Sequence, residues 1–363
     1  MSKSDPSPAL SIIIPAYNCQ DQISRMVRSI QANSYTDWEL IIVNDKSTDN
    51  TRAVVTALAQ SDRRIVLINQ RRNGGASVAR NTGIIKARGR YLMFFDADDE
   101  IVPTALETFV SSIDNNRVKL AVSGFTVQTF RNERQLSSTN ACTSKLPLQQ
   151  TGESWRIYIL RLLGLDGRLY QVWNKIYRAD IIHRYHLSFP VGINFGEDLL
   201  FNLSYYACLD GSIEFIPQPL YIYRQNLDGG TFSKSSLIYA NRQQNFDALL
   251  EFLAAEPDSE TKKSLLSWIK YNWIYSHLLA LSSSKLSFEQ KLASVREIAT
   301  SDGDTPFSDP TIVGHKRVMV EKLLHFLIHH PGLAIRLVGT TGQIKNSKLF
   351  AGAWRALRNH LNS

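Results

Sequence analysis

The feature that most constrains the fold is an alternation of short apolar runs and amphipathic helices over the first hundred residues. Four runs rich in β-branched, aliphatic or aromatic residues predict buried strands, at 10–14, 39–43, 64–68 and 91–95. Runs of this kind, without polar alternation, are typical of a sheet covered on both faces. Helical periodicity fills the gaps, at 23–30, after the capping cluster 47–49, and at 76–87. Strand–helix–strand repeated three times predicts an α/β fold with right-handed crossovers, a mainly parallel central sheet and flanking helices.

The rest of the chain changes character near residue 228. Before it, the pattern predicts a strand at 119–130, an exposed loop at 131–144, a helix at 155–165, and a closing strand at 220–223 that follows the turn-rich Pro217-Gln218-Pro219. After it, helical patterns occupy 237–253, 263–281, 288–299 and 316–328. We therefore expect an α/β domain at 1–228 and a C-terminal α-helical region at 229–363.

Charge and cysteine content limit the partners and the compartment. The chain has 41 Lys and Arg against 33 Asp and Glu, a net charge of +8. This spread excess does not predict a nucleic-acid partner but suits phosphate-bearing ligands or an anionic membrane surface. Three widely spaced cysteines exclude a disulfide scaffold and favour a reducing compartment. No apolar run approaches the ~18 residues of a spanning helix, and the run at 10–14 is too short for a signal peptide.

We accordingly expect a cytoplasmic protein, either soluble or peripheral on the inner membrane. The segment Lys316–Ile328 is basic and amphipathic. It could lie on a membrane surface or pack on the rest of the protein, and the sequence leaves both open.

Polar segments follow all four predicted strands. They are Pro15-Ala16-Tyr17-Asn18, Asn44–Asp49, Arg71–Gly75 and Asp96-Ala97-Asp98-Asp99. Ligands of open parallel sheets bind outside the carboxyl ends of the strands, so these segments should converge. Three carboxylates in four residues repel one another unless a cation compensates, and they suit Mg²⁺ or Mn²⁺, which retains water and substrate phosphate oxygens. An acidic solvated turn is the simpler alternative for an isolated cluster.

The two middle segments add a nucleotide-binding hypothesis. Asp45 could accept a hydrogen bond from a nucleobase or a ribose, or serve only as a turn or helix cap. Gly74-Gly75 leads into a helix whose N-terminal amides could face a diphosphate, and Arg80 could add a charge-assisted bond to phosphate. Together the four segments predict a metal–diphosphate–nucleoside site.

These residues resemble the inverting family 2 glycosyltransferases of the GT-A (nucleotide-diphospho-sugar transferase) fold. The matching blocks are Ser11–Asn18, Val43–Asp49, Asn73–Gly83, Phe95–Asp99, Trp173-Asn174-Lys175 and Gly196–Leu200. The resemblance implies a nucleotide-sugar-binding half at about 10–115 and an acceptor and catalytic-base half at 116–228. It implies transfer of one sugar from a nucleotide diphosphate, commonly UDP, to a hydroxyl of a glycan or lipid-linked oligosaccharide, with Mn²⁺ or Mg²⁺.

The resemblance also implies roles for individual residues. Pro15, Tyr17 and Asp45 would frame the base and ribose, and Arg80 would lie near the diphosphate. Asp96 and Asp98 would form the DXD motif, with Asp98 at the metal and Asp96 towards the ribose. Asp198 would be the general base. Contacts with donor or acceptor are further expected of four residues: Trp173, Lys175, Glu197 and Arg224.

One departure from the family and several rival classes bear on this hypothesis. Lys46 stands where many relatives have glycine, which leaves the loop shape and the base preference open. The Gln-x-x-Arg-Trp motif and membrane spans of processive synthases are absent from the sequence, which favours a non-processive enzyme. The glycine-rich turn of a dinucleotide dehydrogenase is absent too. A non-catalytic nucleotide-sugar-binding subunit and a sugar-nucleotide nucleotidyltransferase remain as alternatives.

Overall fold

The computed structural model describes residues 7–227 except 116, 142–148, 166 and 194, then residues 235–266 and the positions 269, 273 and 287. The chain divides into two compact units. The first comprises Met1–Asp228 with Asp247–Glu256, and the second comprises Gly229–Phe246 with Pro257–Ser363. The expected helices at 288–299 and 316–328, including the basic segment Lys316–Ile328, lie outside the described residues. No described helix is long and apolar enough to cross a bilayer.

Strands and helices alternate through the first unit as expected. The strands are β1 (Leu10–Ala16), β2 (Trp38–Asn44), β3 (Ile65–Asn69), β4 (Tyr91–Phe94), β5 (Glu100–Ile101), β6 (Leu120–Arg131), β7 (Arg134–Ala141), β8 (Lys175–Arg178) and β9 (Ile213–Asn226). The helices are α1 (Ile23–Gln31), α2 (Thr51–Ser61), α3 (Gly75–Lys86), α4 (Ala105–Asn115), α5 (Trp155–Leu165), α6 (Ala179–Arg184), α7 (Glu197–Ala207) and α8 (Ser235–Phe252), with a 3₁₀ turn at Gly167–Leu169.

All nine strands form one sheet in the order β3-β2-β1-β4-β8-β6-β9-β5, with β7 added to β6. The pairs among β3, β2, β1 and β4 are parallel, as crossover helices require. The pairs β4–β8, β8–β6 and β9–β5 are antiparallel, whereas β6–β9 is parallel. The expected α/β class is therefore confirmed, with a parallel first half and a mixed second half. The halves join where β4 pairs with β8.

Two details of the second half correct the sequence-based expectations. The polar stretch predicted as a loop contains β7, whose residues are almost all exposed because this short strand pairs only with β6. Pro217-Gln218-Pro219 is not a turn before the last strand but lies inside β9. The register with β6 shifts there, from Ser123 opposite Ile216 to Gly124 opposite Pro219. A bulge accommodates the prolines because their missing N–H groups cannot join the ladder.

Every residue of β2 and of β4 is buried, whereas β3, at the edge of the sheet, is partly exposed. Burial explains the apolar runs of β2 and β4. Glu39, the acid within β2, pairs with Arg88 and accepts a hydrogen bond from Oγ of Ser11. Helix α3 approaches β1 closely at Gly83, where an added Cβ would lie 2.3 Å from Cγ2 of Ile13. This close contact fixes the helix that carries Arg80.

Candidate active site

The loops after β1 and β2 are joined by side-chain hydrogen bonds at the carboxyl edge of the sheet. The backbone N–H of Asn18 donates to Oγ of Ser47 (3.0 Å), and Oδ1 of Asn18 accepts from the N–H of Thr48 (2.8 Å). Tyr17 is half exposed beside them, and Pro15 is partly buried at the end of β1. Pro15, Tyr17 and Asp45 thus lie on adjacent strand ends, as expected.

Lys46 keeps the loop geometry that glycine usually provides. Its φ is 58°, in the left-handed region that L-residues with a Cβ adopt at a cost, and its side chain is exposed. The departure from the family pattern therefore changes the surface of the loop, which gains a cation, while the backbone conformation is one glycine would adopt.

Asp45 binds the start of α3. Its buried carboxylate accepts from the N–H groups of Gly74 (2.8 Å) and Gly75 (2.7 Å). Two of the amides at this helix start, those of Gly74 and Gly75, are thus bonded to an aspartate, while the expectation that the helix N-terminus faces a diphosphate stays a prediction. A carboxylate at a helix N-terminus satisfies otherwise unpaired amides and interacts favourably with the helix dipole. Asp45 therefore ties the loop after β2 to the start of α3.

Arg80 lies at the centre of an acidic cluster that spans both halves of the domain. Its side chain is 4% exposed. Nη2 lies 2.8 Å from Oδ1 of Asp96, and Nη1 lies 3.0 Å from Oδ1 of Asp198 and 3.3 Å from Oε1 of Glu197. Burial alone would lower the pKa of Arg80, but the three carboxylates outweigh it and raise that pKa. One guanidinium thus connects the DXD segment with the residues that begin α7.

Asp198 is held in a setting that suits a base. Its Oδ2 accepts from the N–H of Val172 at 3.3 Å, and Gly196, with φ 92°, brings the chain into α7 just before it. Burial, followed by the charges of Glu197 and Asp96, raises the pKa of Asp198 to about 7, although Arg80 and the Val172 amide act in the opposite direction. A carboxyl that titrates near neutrality can accept a proton at physiological pH.

The three acids after β4 have separate environments. Asp96 pairs with Arg80. Asp99 is 1% exposed, and accepts from Oη of Tyr221 (2.7 Å) and from the N–H of Arg224 (2.7 Å). Burial and the charges of Asp98 and Asp96 raise its pKa well above the usual value. Asp99 is therefore a structural acid, not a ligand-binding one.

Asp98 is the acid that remains available. Its side chain is exposed, and its carboxylate accepts no hydrogen bond from any described residue, while Nη2 of Arg25 binds its backbone oxygen at 2.6 Å. Desolvation by its surroundings, followed by the charge of Asp96, raises its pKa. Metal binding would lower it again, because a cation favours the ionised form.

The donor set fits a divalent ion that takes most of its ligands from substrate. Among the described residues no three His, Cys, Asp or Glu side chains are grouped as a protein-only metal site. Mg²⁺ and Mn²⁺ are commonly held by one or two carboxylates with water and substrate phosphate oxygens. The free carboxylate of Asp98 at the strand end matches that mode.

The remaining expected contacts fall into two groups. Glu197 and Arg224 both take part in ion pairs near the strand ends. Glu197 pairs with Arg80, and Arg224 pairs with Glu100 at 3.0 Å while its Cζ lies 3.8 Å from the ring centre of Phe130. Trp173 and Lys175 are buried instead. Nζ of Lys175 donates to Oδ1 of Asn174 and to the carbonyls of Arg168 and Gln171. That geometry favours a structural role for Lys175.

Tyr221 and Arg25 belong to this region, although the sequence analysis did not name them. Oη of Tyr221 bonds Asp99 and accepts the N–H of Asp96 at 3.2 Å. Arg25, on α1, pairs with Glu100 at 3.2 Å. The spacing of Tyr221 and Tyr223 on β9 could have indicated that both side chains lie on one face of the sheet. The sequence around Arg25 gave no indication of its partners, which are more than 70 positions away.

Residues 11–185 match the family model described as glycosyl transferase family 2. The match covers just under half of the chain, and together with the fold it supports the resemblance of this segment to the family 2 glycosyltransferases of the GT-A fold. The chain is 31% identical over 223 residues to the uncharacterized glycosyltransferase EpsJ of Bacillus subtilis, and 35% identical over 196 residues to the uncharacterized glycosyltransferase YibD of Escherichia coli. The aligned segments cover 60% and 51% of this chain, and 62% and 53% of those proteins.

Solved structures show the same fold at low sequence identity. Residues 1–349 of S. aureus TarS in complex with UDP superpose with a TM-score of 0.59 at 18% identity, covering 93% of this chain and 92% of that one. The mannosyltransferase PcManGT of Pyrobaculum calidifontis, in complex with GDP-Man and Mn²⁺, gives a TM-score of 0.52 at 14% identity, covering 94% and 88%. A relative with a named reaction is the UDP-Glc:alpha-D-GlcNAc-diphosphoundecaprenol beta-1,3-glucosyltransferase WfgD of Escherichia coli, 36% identical over 118 residues that cover 32% of this chain and 46% of WfgD.

Proposed function

We propose that this chain is a non-processive inverting glycosyltransferase that moves one sugar from a nucleotide-diphospho-sugar to an acceptor hydroxyl. The observation that carries the proposal is the pairing of Arg80 with both Asp96 and Asp198. Through the single side chain of Arg80, the DXD segment is joined to Asp198, a carboxyl whose pKa is about 7. Donor-binding and proton-accepting groups are thereby adjacent, as a direct displacement requires.

In this proposal Asp198 acts as the general base. A sugar hydroxyl does not ionise at neutral pH, so its proton must leave as the new glycosidic bond forms. Asp198 takes that proton while the acceptor oxygen attacks the anomeric carbon and the bond to the nucleotide diphosphate breaks. A single displacement inverts the anomeric centre. Arg80 and the N–H of Val172 hold the carboxylate in place.

The donor would lie across the strand ends of the first half. Pro15, Tyr17 and Asp45 would contact the nucleoside, and Asp96 the ribose. Asp98 would hold Mn²⁺ or Mg²⁺ against the diphosphate, where a divalent cation neutralises the charge of the leaving group. The UDP and GDP-Man complexes of the TarS and PcManGT structures support a nucleotide-sugar donor, and the name of WfgD supports UDP and a lipid-linked acceptor.

Arg80 lies against carboxylates here, so a direct contact with the diphosphate needs those pairs to rearrange. For this reason we propose that its first role is to position Asp96 and Asp198. We further propose that Glu197 and Arg224 act at the edges of the site, and that the protein works at the cytoplasmic face of the membrane, where lipid-linked acceptors are available.

A nucleotide-sugar panel tests the proposal. UDP-, GDP- and dTDP-sugars are incubated with the protein and Mn²⁺, with lipid-linked and simple glycosides as acceptors, and free nucleotide and glycoside product are measured. We expect one donor to give a product of inverted anomeric configuration. Binding of a nucleotide sugar without any release of nucleotide would instead favour the non-catalytic subunit. A parallel incubation with nucleoside triphosphates and sugar 1-phosphates tests the other alternative, since release of pyrophosphate there would favour a nucleotidyltransferase.

A further inference from the structure

Tyr223 is a second tyrosine on the face of β9 that carries Tyr221. The two residues are two positions apart on one strand, so their side chains share a face of the sheet. Tyr221 is fully buried and its hydroxyl is taken by Asp99 and the N–H of Asp96. Tyr223 is only partly buried. Both rings therefore pack on the hydrophobic core, but only the partly exposed Tyr223 can be reached by a ligand.

The ring of Tyr223 is fixed by aromatic stacking. It lies parallel to the indole of Trp173, with centroids 5.8 Å apart and an interplanar angle of 6°. Tyr221 stacks on the same indole at 4.5 Å, and Phe125 meets it edge-on at 4.8 Å. A ring held in this way has little rotamer freedom left to lose when a ligand binds. The buried Trp173 thus supports a pre-organised phenol.

Tyr223 lies on β9 between Tyr221 and Arg224, which both bind the carboxylate of Asp99. Its hydroxyl has no hydrogen-bond partner within the part of the chain that the structure describes. Burial, followed by the charges of Asp99, Asp98 and Asp96, raises its pKa to about 12. The phenol consequently stays protonated and can donate. A phenol hydroxyl can therefore donate to a ligand oxygen, such as that of a sugar hydroxyl.

Building on the proposed function, we propose that Tyr223 is a specificity-determining residue that donates a hydrogen bond to a hydroxyl of a substrate sugar. Its partly exposed ring would pack against the sugar, and its hydroxyl would select among sugars by the position of the accepting oxygen. The sugar could be that of the donor or that of the acceptor, since both must meet beside Asp96 and Asp98. If the phenol binds the donor sugar, the affinity for the nucleotide sugar depends on it. If the phenol binds the acceptor sugar, the affinity for the acceptor depends on it.

Tyr223→Phe tests this inference because it removes the hydroxyl and keeps the ring on Trp173. The matched control is Tyr185→Phe, which removes a phenol hydroxyl from the exposed end of α6. Calorimetric titration with Mn²⁺ compares UDP with UDP-glucose and UDP-N-acetylglucosamine. A second series titrates glucose and N-acetylglucosamine into the UDP-saturated protein as stand-ins for an acceptor. Melting temperatures of both variants verify the fold.

A loss of roughly 3- to 10-fold is expected for one sugar-bearing ligand, the range for one net hydrogen bond. A weaker UDP-sugar with unchanged UDP assigns Tyr223 to the donor sugar, and weaker free sugar with unchanged UDP-sugar assigns it to the acceptor. If Tyr223→Phe matches wild type and Tyr185→Phe in every titration, the inference is wrong while the proposed function stands. A wild type that binds neither these UDP ligands nor any GDP- or dTDP-sugar of the panel overturns both.

Discussion

Three carboxylates of the site share one guanidinium, so a substitution at any of them changes the charge balance of the others. Asp96, Glu197 and Asp198 all lie within 3.3 Å of Arg80 nitrogens. Among the described residues, the amide of Val172 is the only other group that donates a hydrogen bond to the carboxylate of Asp198. Replacing its carboxylate by an amide of the same size is therefore the mildest change that removes the base.

We expect Asp198→Asn to fold and bind UDP with Mn²⁺ as wild type does, but to transfer sugar ~10²–10⁴-fold more slowly, the usual cost of losing a general base. Single-turnover transfer rates and UDP titration measure the two effects. Asp210→Asn serves as the control, since it removes one charge from an exposed pair with Lys119 that contributes little. Near-normal turnover by Asp198→Asn would exclude this residue as the base.

The raised pKa of Asp198 sets the pH dependence of the reaction. A general base works in its ionised form, and the pKa of this carboxyl is about 7 in the ligand-free protein. We expect log(kcat/KM) to rise with pH up to about 7 and then to level off, because kcat/KM reports ionisations of the free enzyme. Arg80→Gln removes the charge that lowers this pKa, so the inflection should move to higher pH. A profile that is flat between pH 5.5 and 8.5 would contradict the assignment.

Asp98 carries the prediction on the metal. We expect Asp98→Ala to weaken UDP binding and abolish transfer in Mn²⁺, since its carboxylate is free and exposed while Asp96 and Asp99 are already bonded. In excess chelator, wild type and variant should bind UDP equally weakly. Titrations with and without Mn²⁺ measure the difference, and Asp99→Asn provides a comparison in which only the buried acid is altered. Full wild-type activity in chelator would refute the metal role.

Elements, rather than single residues, decide how firmly the site is built. Helix α3 is fixed at its start by Asp45, which accepts from Gly74 and Gly75. It is fixed in its middle by the contact of Gly83 with β1. Strand β9 holds the DXD segment from the other side through Tyr221 and the N–H of Arg224. Regular structure therefore holds the acidic cluster on two sides.

Gly83→Ala tests the contact between α3 and β1. An alanine is normally better than glycine inside a helix by about 0.5–1 kcal/mol, but here its Cβ would lie 2.3 Å from Cγ2 of Ile13. Overpacking typically costs about 1–3 kcal/mol, so the variant should be less stable in urea unfolding. In an Ile13→Ala background, which lacks both γ carbons of Ile13, the added methyl group should cost less stability than it does in the wild type. A more stable single variant would show that the helix can shift without cost.

Sequence reasoning was strongest for elements with unbroken periodicity. The first four strands and their helices are confirmed to within a few residues. For β1, β2 and β4 the reason is burial on both faces, which imposes an apolar pattern that the local sequence shows directly. Sequence reasoning failed at β7, where polar exposed residues look like a loop, and at the Pro217–Pro219 bulge. The partners of Arg80 were also out of reach. They lie 16, 117 and 118 positions away, and the sheet order alone brings them together.

At the scale of the whole molecule, the net charge of +8 and the basic segment Lys316–Ile328 bear on where the protein acts. We expect the full chain to co-sediment with vesicles of phosphatidylglycerol at low salt and to be released as salt rises, since each basic residue near an anionic surface contributes about 1 kcal/mol. Truncation after residue 310 should reduce binding, while vesicles of phosphatidylcholine serve as the control. No binding to anionic vesicles at low salt would assign the segment a structural role.

The absence of a side chain at Gly83 also determines where the guanidinium of Arg80 lies. Gly83 and Arg80 are three positions apart on α3, so they occupy neighbouring places on one face of the helix. The depth at which the backbone settles on β1 therefore fixes how far the guanidinium of Arg80 extends towards Asp96 and Asp198, with which its nitrogens make contacts of 2.8 and 3.0 Å. One added methyl group at Gly83 would displace α3, and with it the side chain of Arg80, by a fraction of an ångström. A packing defect at Gly83, a position that touches no substrate, would thus change the distances from Arg80 to the two carboxylates. It would be measured as a lower reaction rate.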